Sequence, residues 1–361
     1  MSDSPIKGRG TASRMPGRFS STSIELIDGQ AEALVEGGSS KLAAPPTEVR
    51  VEQAKSLITR NSSPDVPFSL SINPYRGCEH GCIYCFARPT HAYLELSPGL
   101  DFETKLIAKA NAAELFAREL RNPNYRCETI ALGVSTDPYQ PIEKSWQLTR
   151  QLLAVANDFN QPLSLITKSG LILRDLDLLA ELAAKQLISV AVSVTTLDNA
   201  LKRLLEPRAS SGEQRLHVIR ELTRVGVPVT VLLAPVIPFI NDHELETIVA
   251  AVGEAGARAA AYIMLRLPNE VLPLFREWLL NHYPDRAQHV LNRIADLHQG
   301  KLYDSRFGKR MTGEGVYAEL INKRFNVALK RAGIGGEGNH SPLNTSRFQP
   351  PPQAGDQLPL W

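Results

Sequence analysis

The segment Asn73-Pro-Tyr-Arg-Gly-Cys-Glu-His-Gly-Cys-Ile-Tyr-Cys-Phe-Ala-Arg88 holds three of the four cysteines in a chain of 361 residues. Cys78, Cys82 and Cys85 lie so close together that chance does not readily explain the grouping. A single cysteine is most often a small buried hydrophobe. That interpretation is disfavoured here because the neighbouring charged residues do not suit an apolar core: Arg76, Glu79, His80 and Arg88. The segment therefore predicts a site built on three thiolates.

A C-x3-C-x2-C loop can turn its thiolates toward one point, and Gly77 and Gly81 permit the backbone turns that this requires. Thiolates in this arrangement suit zinc or an iron-sulfur cluster. Structural zinc needs a fourth protein ligand, for which Cys127 or His80 would have to serve. Three cysteines on a four-iron cluster would instead leave one iron open for an outside ligand. The residues alone leave both a zinc site and an iron-sulfur cluster as alternatives.

The rest of the chain alternates short apolar, β-branched runs with segments of helical period, the pattern of a parallel sheet covered by helices. Six strands are predicted, at residues 67–73, 129–136, 163–168, 188–194, 228–233 and 260–266. Helices are predicted at residues 102–121, 145–157, 174–185, 211–225, 242–254 and 270–281. Right-handed crossovers would wind these units into an α/β fold, a partial (β/α)6 barrel of the TIM type. Functional residues are expected where the strands end.

Composition divides the chain into a folded core and two irregular ends. Residues 1–45 and 334–361 lack a sustained period and are predicted to be a flexible arm and a flexible tail. The core is placed at residues 46–300, and a basic helical extension at residues 301–333. The net charge of +2 indicates no global attraction to nucleic acid or membranes. No apolar run suits a secretory signal or a membrane span, so a cytoplasmic protein is expected.

The motif C-x3-C-x-aromatic-C, with Tyr84 as the aromatic residue, follows the first strand of the six-unit β/α pattern. In this the chain resembles the radical S-adenosylmethionine (radical SAM) superfamily. The resemblance implies that Cys78, Cys82 and Cys85 bind three irons of a [4Fe-4S] cluster, and that the fourth iron is chelated by SAM. It implies a radical SAM enzyme that cleaves SAM reductively to a 5′-deoxyadenosyl radical, with a reductant such as flavodoxin or ferredoxin. The alternative is a non-enzymatic zinc or iron-sulfur binding module.

Further motifs recur in order at the predicted strand ends: Gly133-Val-Ser-Thr-Asp137, Leu165-Ile-Thr-Lys168, Val192-Ser-Val-Thr-Thr196, Leu205-Glu-Pro-Arg208 and Ala234-Pro-Val-Ile-Pro238. Together they resemble the spore photoproduct lyase-related branch, also described as DNA repair photolyase-like, and within it an uncharacterised bacterial subgroup. The resemblance covers roughly residues 65 to 310.

The resemblance also implies roles for strand-end residues. Tyr84 would lie on the adenine side of SAM, and Lys168 would meet the SAM carboxylate. The other implied contacts are the methionyl amino group for Ser135, Thr136 and Asp137, the ribose or carboxylate for Ser193 and Thr195, and adenine for the backbone of Val236 and Ile237. The Ser and Thr residues could instead be turn or helix-cap residues, and Lys168 could be a solvated surface lysine.

One position departs from that branch. Spore photoproduct lyases carry a cysteine near the end of the second strand that returns hydrogen to the product radical, and Val134 occupies the equivalent place here. Cys127 lies at the start of that strand and is expected to pack in the core. Thymine-dimer reversal by the known route is therefore not expected, unless Tyr139 or Tyr84 donates the hydrogen instead.

Weaker signals lie around this site. His80 and His91 could tune the cysteine loop through hydrogen bonds, and Glu206 could pair with Arg208 at the barrel mouth. Eight Lys or Arg and three Asp or Glu fall within residues 301–333, beside several aromatic residues. Such a segment suits contact with nucleic acid, which is a possible partner, or simply a helix with a solvated basic face.

Overall fold

A computed structural model of the chain describes residues 6–20, 45–336 and 342–352. Its strands, in chain order, are β1 Glu48–Glu52, β2 Thr59–Arg60, β3 Leu70–Ile72, β4 Tyr75–Arg76, β5 Lys105–Lys109, β6 Ile130–Leu132, β7 Leu163–Thr167, β8 Ile188–Ser193, β9 Val229–Val236 and β10 Ala259–Met264. Its α-helices are α1 Asp101–Thr104, α2 Ala112–Leu120, α3 Glu143–Trp146, α4 Leu148–Phe159, α5 Leu176–Ala184, α6 Asn199–Leu205, α7 Gly212–Arg224, α8 Leu245–Glu254, α9 Val271–His282, α10 Pro284–Leu297 and α11 Val316–Ala332. Short 3-10 helices span Arg88–Leu94, Gly170–Asp175 and Asp242–Glu244.

The main sheet has seven strands in the order β10-β9-β8-β7-β6-β3-β2. Every neighbouring pair from β3 to β10 is parallel, and only the edge strand β2 pairs antiparallel. The six parallel strands are those predicted from the sequence, and helices connect them in the predicted order. The partial (β/α)6 fold is therefore confirmed, with one antiparallel strand added at its edge.

The two faces of the sheet have different surroundings. Along β9, Val231 and Leu233 are buried in the core that the covering helices share, whereas Leu232 and Ala234 line a cavity on the other face. This alternation follows from the two-residue period of a strand. Helices α4, α5, α7 and α8 complete the core with buried apolar residues such as Leu152, Leu182, Ile219 and Val249.

The predicted helix at residues 102–121 is wrong at residues 105–109. Lys105–Lys109 forms strand β5 instead, between β1 and β4 in a separate three-stranded sheet. Its buried residues Leu106 and Ala108 alternate with half-buried ones, so the segment fits a strand as well as a helix. Parallel pairing with β1 decides between them, and a short-range pattern does not reveal that partner. The residues on either side of this strand, in α1 Asp101–Thr104 and α2 Ala112–Leu120, are helical as predicted.

The N-terminal residues that the structure describes are packed rather than free. Arg9 is buried and donates hydrogen bonds to the carbonyls of Glu103 and Pro45 at 2.9 and 2.7 Å. The amide of Gly10 donates to Glu103 Oε2 at 2.9 Å. Residues 6–20, assigned to the flexible arm from their composition, therefore contact the core, and residues 1–5 and 21–44 lie outside the described parts.

The C-terminal extension joins the two edges of the main sheet. Its Arg310 pairs with Asp65, beside the β2 edge, and the carbonyl of Met311 accepts a hydrogen bond from the amide of Met264 in β10 at 2.8 Å. Of the predicted flexible tail, Gly335 bridges to Ala259 and Phe348 lies 5.3 Å from the Tyr125 ring. Residues 337–341 and 353–361 lie outside the described parts. Within the described residues, no helix combines the length and the apolar character of a membrane span.

Candidate active site

The cysteine loop follows β3 and β4 and is held by hydrogen bonds to its backbone. Gly77 and Gly81 have φ angles of +75° and +67°, in the left-handed region that favours glycine. A side chain at Gly77 would also meet Leu106, His91 and the carbonyl of Phe102 within 2.9 Å. The amide of Cys78 donates to Phe102 O at 2.9 Å. The predicted role of the glycines in turning the loop is therefore supported by their conformation.

Arg88 holds the cysteine loop in place through buried contacts. It is fully buried, pairs with the equally buried Glu103 at 2.5 Å, and donates through Nε to the carbonyl of Cys82 at 2.9 Å. The carboxylate of Glu103 also accepts from Gly10, so that the N-terminal segment, Arg88 and the loop form one connected unit. A fully bonded buried pair of this kind orients its neighbours.

A cavity of about 560 Å³ lies at the carboxyl ends of the parallel strands, next to this loop. This volume is in the range of small-molecule sites. Of the residues predicted to bind the cofactors, the cavity lining includes Cys78, Cys82, Cys85, Tyr84, Ser135, Thr136, Asp137, Lys168 and Ser193. The site expected at the strand ends is thus a single cavity shared by the cysteines and most of the predicted SAM contacts.

Three predicted contacts do not line this cavity. Thr195 lies behind Tyr84, with the two hydroxyls 3.2 Å apart. The carbonyl of Val236 accepts from Leu265, and the amide of Ile237 donates to Asn241 Oδ1 at 2.6 Å. These backbone groups are already bonded, so the structure does not offer them to adenine as predicted. Ala234 and Pro235 line the cavity in their place.

The Gly133–Asp137 turn is organised by two side chains. Asn73 accepts hydrogen bonds from the amides of Ser135 and Thr136 at 2.9 and 3.4 Å. The Asp137 carboxylate accepts from Thr167 and from the amide of Lys168 at 2.7 and 2.8 Å. Burial alone would raise the pKa of Asp137, but His80 at 3.4 Å and these hydrogen bonds lower it overall. Asp137 therefore stays ionised as the hub of the turn.

Lys168 is part of a charged network beneath the cysteine loop. Its Nζ lies 2.9 Å from Glu206 Oε1, 3.0 Å from Tyr84 Oη and 3.4 Å from Cys82 Sγ. Burial acts to lower the pKa of Lys168, but the surrounding Cys82, Glu206 and Tyr84 raise it well above its usual value. The ammonium is thus a fixed positive charge at the cavity wall, and a solvated surface lysine is excluded.

Comparison with known proteins identifies this arrangement. The family model described as the radical SAM superfamily matches residues 72–252, which include the cysteine loop and the strand ends up to helix α8. The chain belongs to the radical SAM superfamily. Enzymes of this superfamily use a [4Fe-4S] cluster and SAM, and these are the cofactors of this protein.

Relatives and solved structures agree with that assignment. An uncharacterised protein of Mycobacterium tuberculosis is 34% identical over 80% of this chain and 82% of its own length. An uncharacterised protein of Methanocaldococcus jannaschii is 29% identical over 62% of this chain and 80% of its own. The structure of spore photoproduct lyase complexed with dinucleoside spore photoproduct has a TM-score of 0.57 at 16% identity, with 80% of each chain covered. This radical SAM protein therefore shares the fold of spore photoproduct lyase.

The donor set fits these cofactors. Cys78 and Cys82 are buried and Cys85 is half-buried, and all three residues line the cavity with side chains of the type that binds iron-sulfur clusters. Burial raises the pKa of Cys82 to about 12, which disfavours the thiolate unless a cation is close. Of the two fourth ligands considered for a zinc site, His80 lines the cavity, whereas Cys127 lies away from it, with its thiol 3.6 Å from Gln161 Oε1.

Sequence reasoning missed part of this site. Glu206 pairs with Arg215 and Lys168, whereas Arg208 pairs with Glu79 at 3.1 Å, so the predicted Glu206–Arg208 pair is wrong. Arg215 is fully buried on α7 and donates to the carbonyl of Ser193 at 3.0 Å. The arginine at an apolar position beside Val218, Ile219 and Leu222 was the one signal available for this pair.

Proposed function

We propose that this protein is a radical SAM enzyme in which Cys78, Cys82 and Cys85 hold the cluster and Lys168 orients the SAM carboxylate. The observation that carries the proposal is the shared cavity at the strand ends, which is lined by the three cysteines and by Lys168, whose Nζ lies 3.4 Å from Cys82 Sγ. A loop that pointed its thiols away from any cavity could not support this chemistry.

The chain contributes binding, orientation and exclusion of water. Three cysteines on a four-iron cluster leave one iron for the amino and carboxylate groups of SAM. Lys168 would then meet a carboxylate with its full positive charge, which Glu206 fixes in place at 2.9 Å. Ser135, Thr136 and Ser193 offer hydroxyl groups along the same wall, and apolar side chains such as Leu232 and Ile166 keep the interior dry.

The chemistry that these cofactors supply when bound is one-electron cleavage of a carbon-sulfur bond of SAM, which yields a 5′-deoxyadenosyl radical that takes hydrogen from the substrate. The electron would come from a reductant such as flavodoxin or ferredoxin. Because soluble reductants of this kind are cytoplasmic, we place the enzyme in that compartment.

Nucleic acid is the substrate class to test first, because the solved spore photoproduct lyase binds a dinucleoside. Val134 lines the cavity where that branch has its hydrogen-donating cysteine, so this chain has no thiol at the position. Of the two tyrosines considered as substitutes, Tyr84 lines the cavity, whereas Tyr139 is buried with its hydroxyl 3.0 Å from Asp175. The hydroxyl of Tyr84 is also committed, since it donates to Glu206 and lies 3.0 Å from Lys168 Nζ, so neither tyrosine offers a free hydroxyl to a substrate.

Anaerobic reconstitution tests the proposal. The wild-type protein is expected to bind about four irons and four sulfides per chain, and to form 5′-deoxyadenosine from SAM when dithionite supplies electrons. Cys82→Ala should abolish both the cluster absorbance and 5′-deoxyadenosine formation, because one corner of the cluster loses its ligand. Cys127→Ala is the matched control and should retain both, since that thiol lies away from the cavity.

Colourless protein that carries zinc would instead establish a metal-binding module and end the proposal. If the cluster forms, candidate substrates labelled with deuterium identify the substrate class, because the label should appear in 5′-deoxyadenosine only when hydrogen is taken from the correct molecule.

A further inference from the structure

The cavity has a second wall that the predicted cofactor contacts do not use. It is formed by the β2 edge of the sheet, by Phe86 after the cysteine loop, by the end of β10 and by the C-terminal extension. The β2 and β10 strands are the two opposite edges of the main sheet, so this wall closes the gap in the partial barrel. Residues that face the cavity from here are placed to contact a substrate rather than to build the cluster site.

This wall is positively charged. Three arginines line it, Arg60, Arg266 and Arg310, and among the described residues the only acidic side chain in the cavity lining is Asp137, on the opposite wall. The Asp137 carboxylate already accepts hydrogen bonds from the hydroxyl of Thr167 and from the amides of Tyr139 and Lys168. An anion that entered the cavity would therefore meet positive charge on both sides.

The three arginines differ in their ion-pair and hydrogen-bond partners. Arg310 is committed to Asp65 and to Ser63 Oγ at 2.6 Å, contacts that join the extension to the β2 edge. Arg60 and Arg266 form no ion pair with any residue that the structure describes. Arg60 is exposed at the cavity edge, whereas Arg266 is half-buried.

Arg266 has a buried donor that lacks an acceptor. Its Nε is shielded from solvent and has no hydrogen-bond partner among the described residues. Its Nη1 reaches only the thioether of Met311 at 3.6 Å, a weak acceptor. The guanidinium lies 5.5 Å from the centroid of the Phe86 ring, which fixes its position. The Nε is as closed to a ligand as it is to water, so the donors available to an anion are the Nη groups, whose one hydrogen-bond partner among the described residues is the weak Met311 acceptor.

We propose that Arg266 binds an oxyanion of the substrate, a phosphate or a carboxylate, with Arg60 at the cavity edge and with the exposed Phe86 ring beside it for a flat apolar part of the molecule. The planar fork of a guanidinium matches both oxyanions in bidentate geometry. This inference rests on the proposed function, since it assigns the substrate side of the same cavity.

Binding of small probes to the anaerobically reconstituted protein tests the inference. Phenyl phosphate and benzoate represent the two oxyanions, and phenol is the matched neutral probe, with affinities measured by calorimetry at low salt. The wild type should bind one of the two oxyanions about tenfold more tightly than phenol, or better. The oxyanion that binds more tightly shows whether the substrate group is a phosphate or a carboxylate. If phenol binds as tightly as both oxyanions, the site recognises only the apolar ring, and the proposal is overturned.

Variants assign the effect to the residue. Arg266→Gln should weaken binding of the preferred oxyanion about tenfold or more, and Arg266→Lys should weaken it less, because it keeps the charge but loses the fork. Arg224→Gln, an exposed arginine on α7, is the control and should bind as the wild type does. If Arg266→Gln does not fold, Arg266→Lys and Arg60→Gln carry the test, and unchanged affinity in both would overturn the proposal.

SAM affinity separates this inference from the proposed function. A large loss of SAM affinity in the Arg266 variants, with oxyanion binding intact, would place Arg266 at SAM and overturn the inference. Formation of 5′-deoxyadenosine by the wild type is scored independently. If the wild type forms no 5′-deoxyadenosine but oxyanion binding still depends on Arg266, the proposed function is wrong and the oxyanion subsite is retained.

Discussion

At the residue scale, the site depends on buried charges whose partners are distant in the sequence. Glu206 accepts from Arg215, Lys168, Thr195 and Tyr84. Burial acts to raise the pKa of Glu206, but Arg215 and Lys168 lower it well below its usual value, so the carboxylate stays charged. One side chain thus sets the position of both Lys168 and Tyr84 at the cavity.

Glu206→Gln is expected to lower the free energy of unfolding by about 3 kcal/mol, because it leaves the fully buried Arg215 without a counter-charge. Urea denaturation at neutral pH measures the change. Glu221→Gln removes an exposed pair on the same helix as Arg215 and should leave the free energy of unfolding nearly unchanged. Equal losses in the two variants would mean that the Glu206–Arg215 pair does not stabilise the fold.

The residues of the cysteine loop could be predicted because spacing alone carries the signal. Lys168 and Asp137 followed from strand-end motifs that the family resemblance supplied. The position of Arg215 on the apolar stripe of α7 indicated burial but not its partner, and Arg266 carried no comparable signal. Only tertiary packing brings Arg215 to a carboxylate nine positions earlier and places Arg266 over Phe86.

At the element scale, tight turns between strand and helix position the site. Gly133 ends β6 with a φ angle of +91°, and a side chain there would meet Pro138 Cδ at 2.4 Å and the carbonyl of Ile166 at 2.8 Å. The turn therefore depends on both the conformation and the small size of glycine. The six parallel strands could be predicted from their local composition, whereas β5 could not, because its identity depends on pairing with β1.

Gly133→Ala should destabilise the protein by about 2–3 kcal/mol more than Gly226→Ala does. Gly226 is the matched control because its φ angle is +84° but no atom lies within 4 Å of the added side chain. Chemical denaturation of both variants measures the difference. Similar losses would show that backbone conformation alone matters at Gly133 and that the close packing of the turn does not.

Helix α11 is attached to α8 by an ion pair that responds to pH. The side chain of Arg324 donates to Glu246 at 2.7 Å and lowers the pKa of that carboxyl below its usual value. A depressed pKa means that the pair stabilises the fold above the ordinary glutamate pKa and that this contribution is lost as the pH falls through the folded value. The side chains are partly exposed, so the contribution at neutral pH is about 0.5 kcal/mol.

NMR titration of glutamate labelled at Cδ checks this assignment. The Glu246 resonance should titrate below the range of ordinary glutamates in the wild type and return to it in Arg324→Gln. An unchanged midpoint in the variant would contradict the pairing of α8 with α11.

At the scale of the whole molecule, the fold is a partial barrel against which the N-terminal segment and the C-terminal extension both pack. Residues 6–20 pack behind the cysteine loop through Arg9 and Gly10. The extension bridges the sheet edges through Arg310 and Met311, and two more of its eight basic residues, Arg306 and Lys309, pair with acidic neighbours. Much of the basic charge predicted to suit nucleic acid is therefore neutralised within the protein. Composition could not reveal this, because it counts charges without their partners.

The central claim is that SAM binds the cysteine-held cluster inside the cavity beside Lys168. The most direct measurement is electron-nuclear double resonance on the reduced, reconstituted protein with SAM labelled with ¹⁵N at the amino group and ¹⁷O at the carboxylate. Both nuclei should couple to the cluster in the wild type, and the oxygen coupling should weaken in Lys168→Met. A reduced cluster that shows no coupling to either nucleus at saturating SAM would contradict the account.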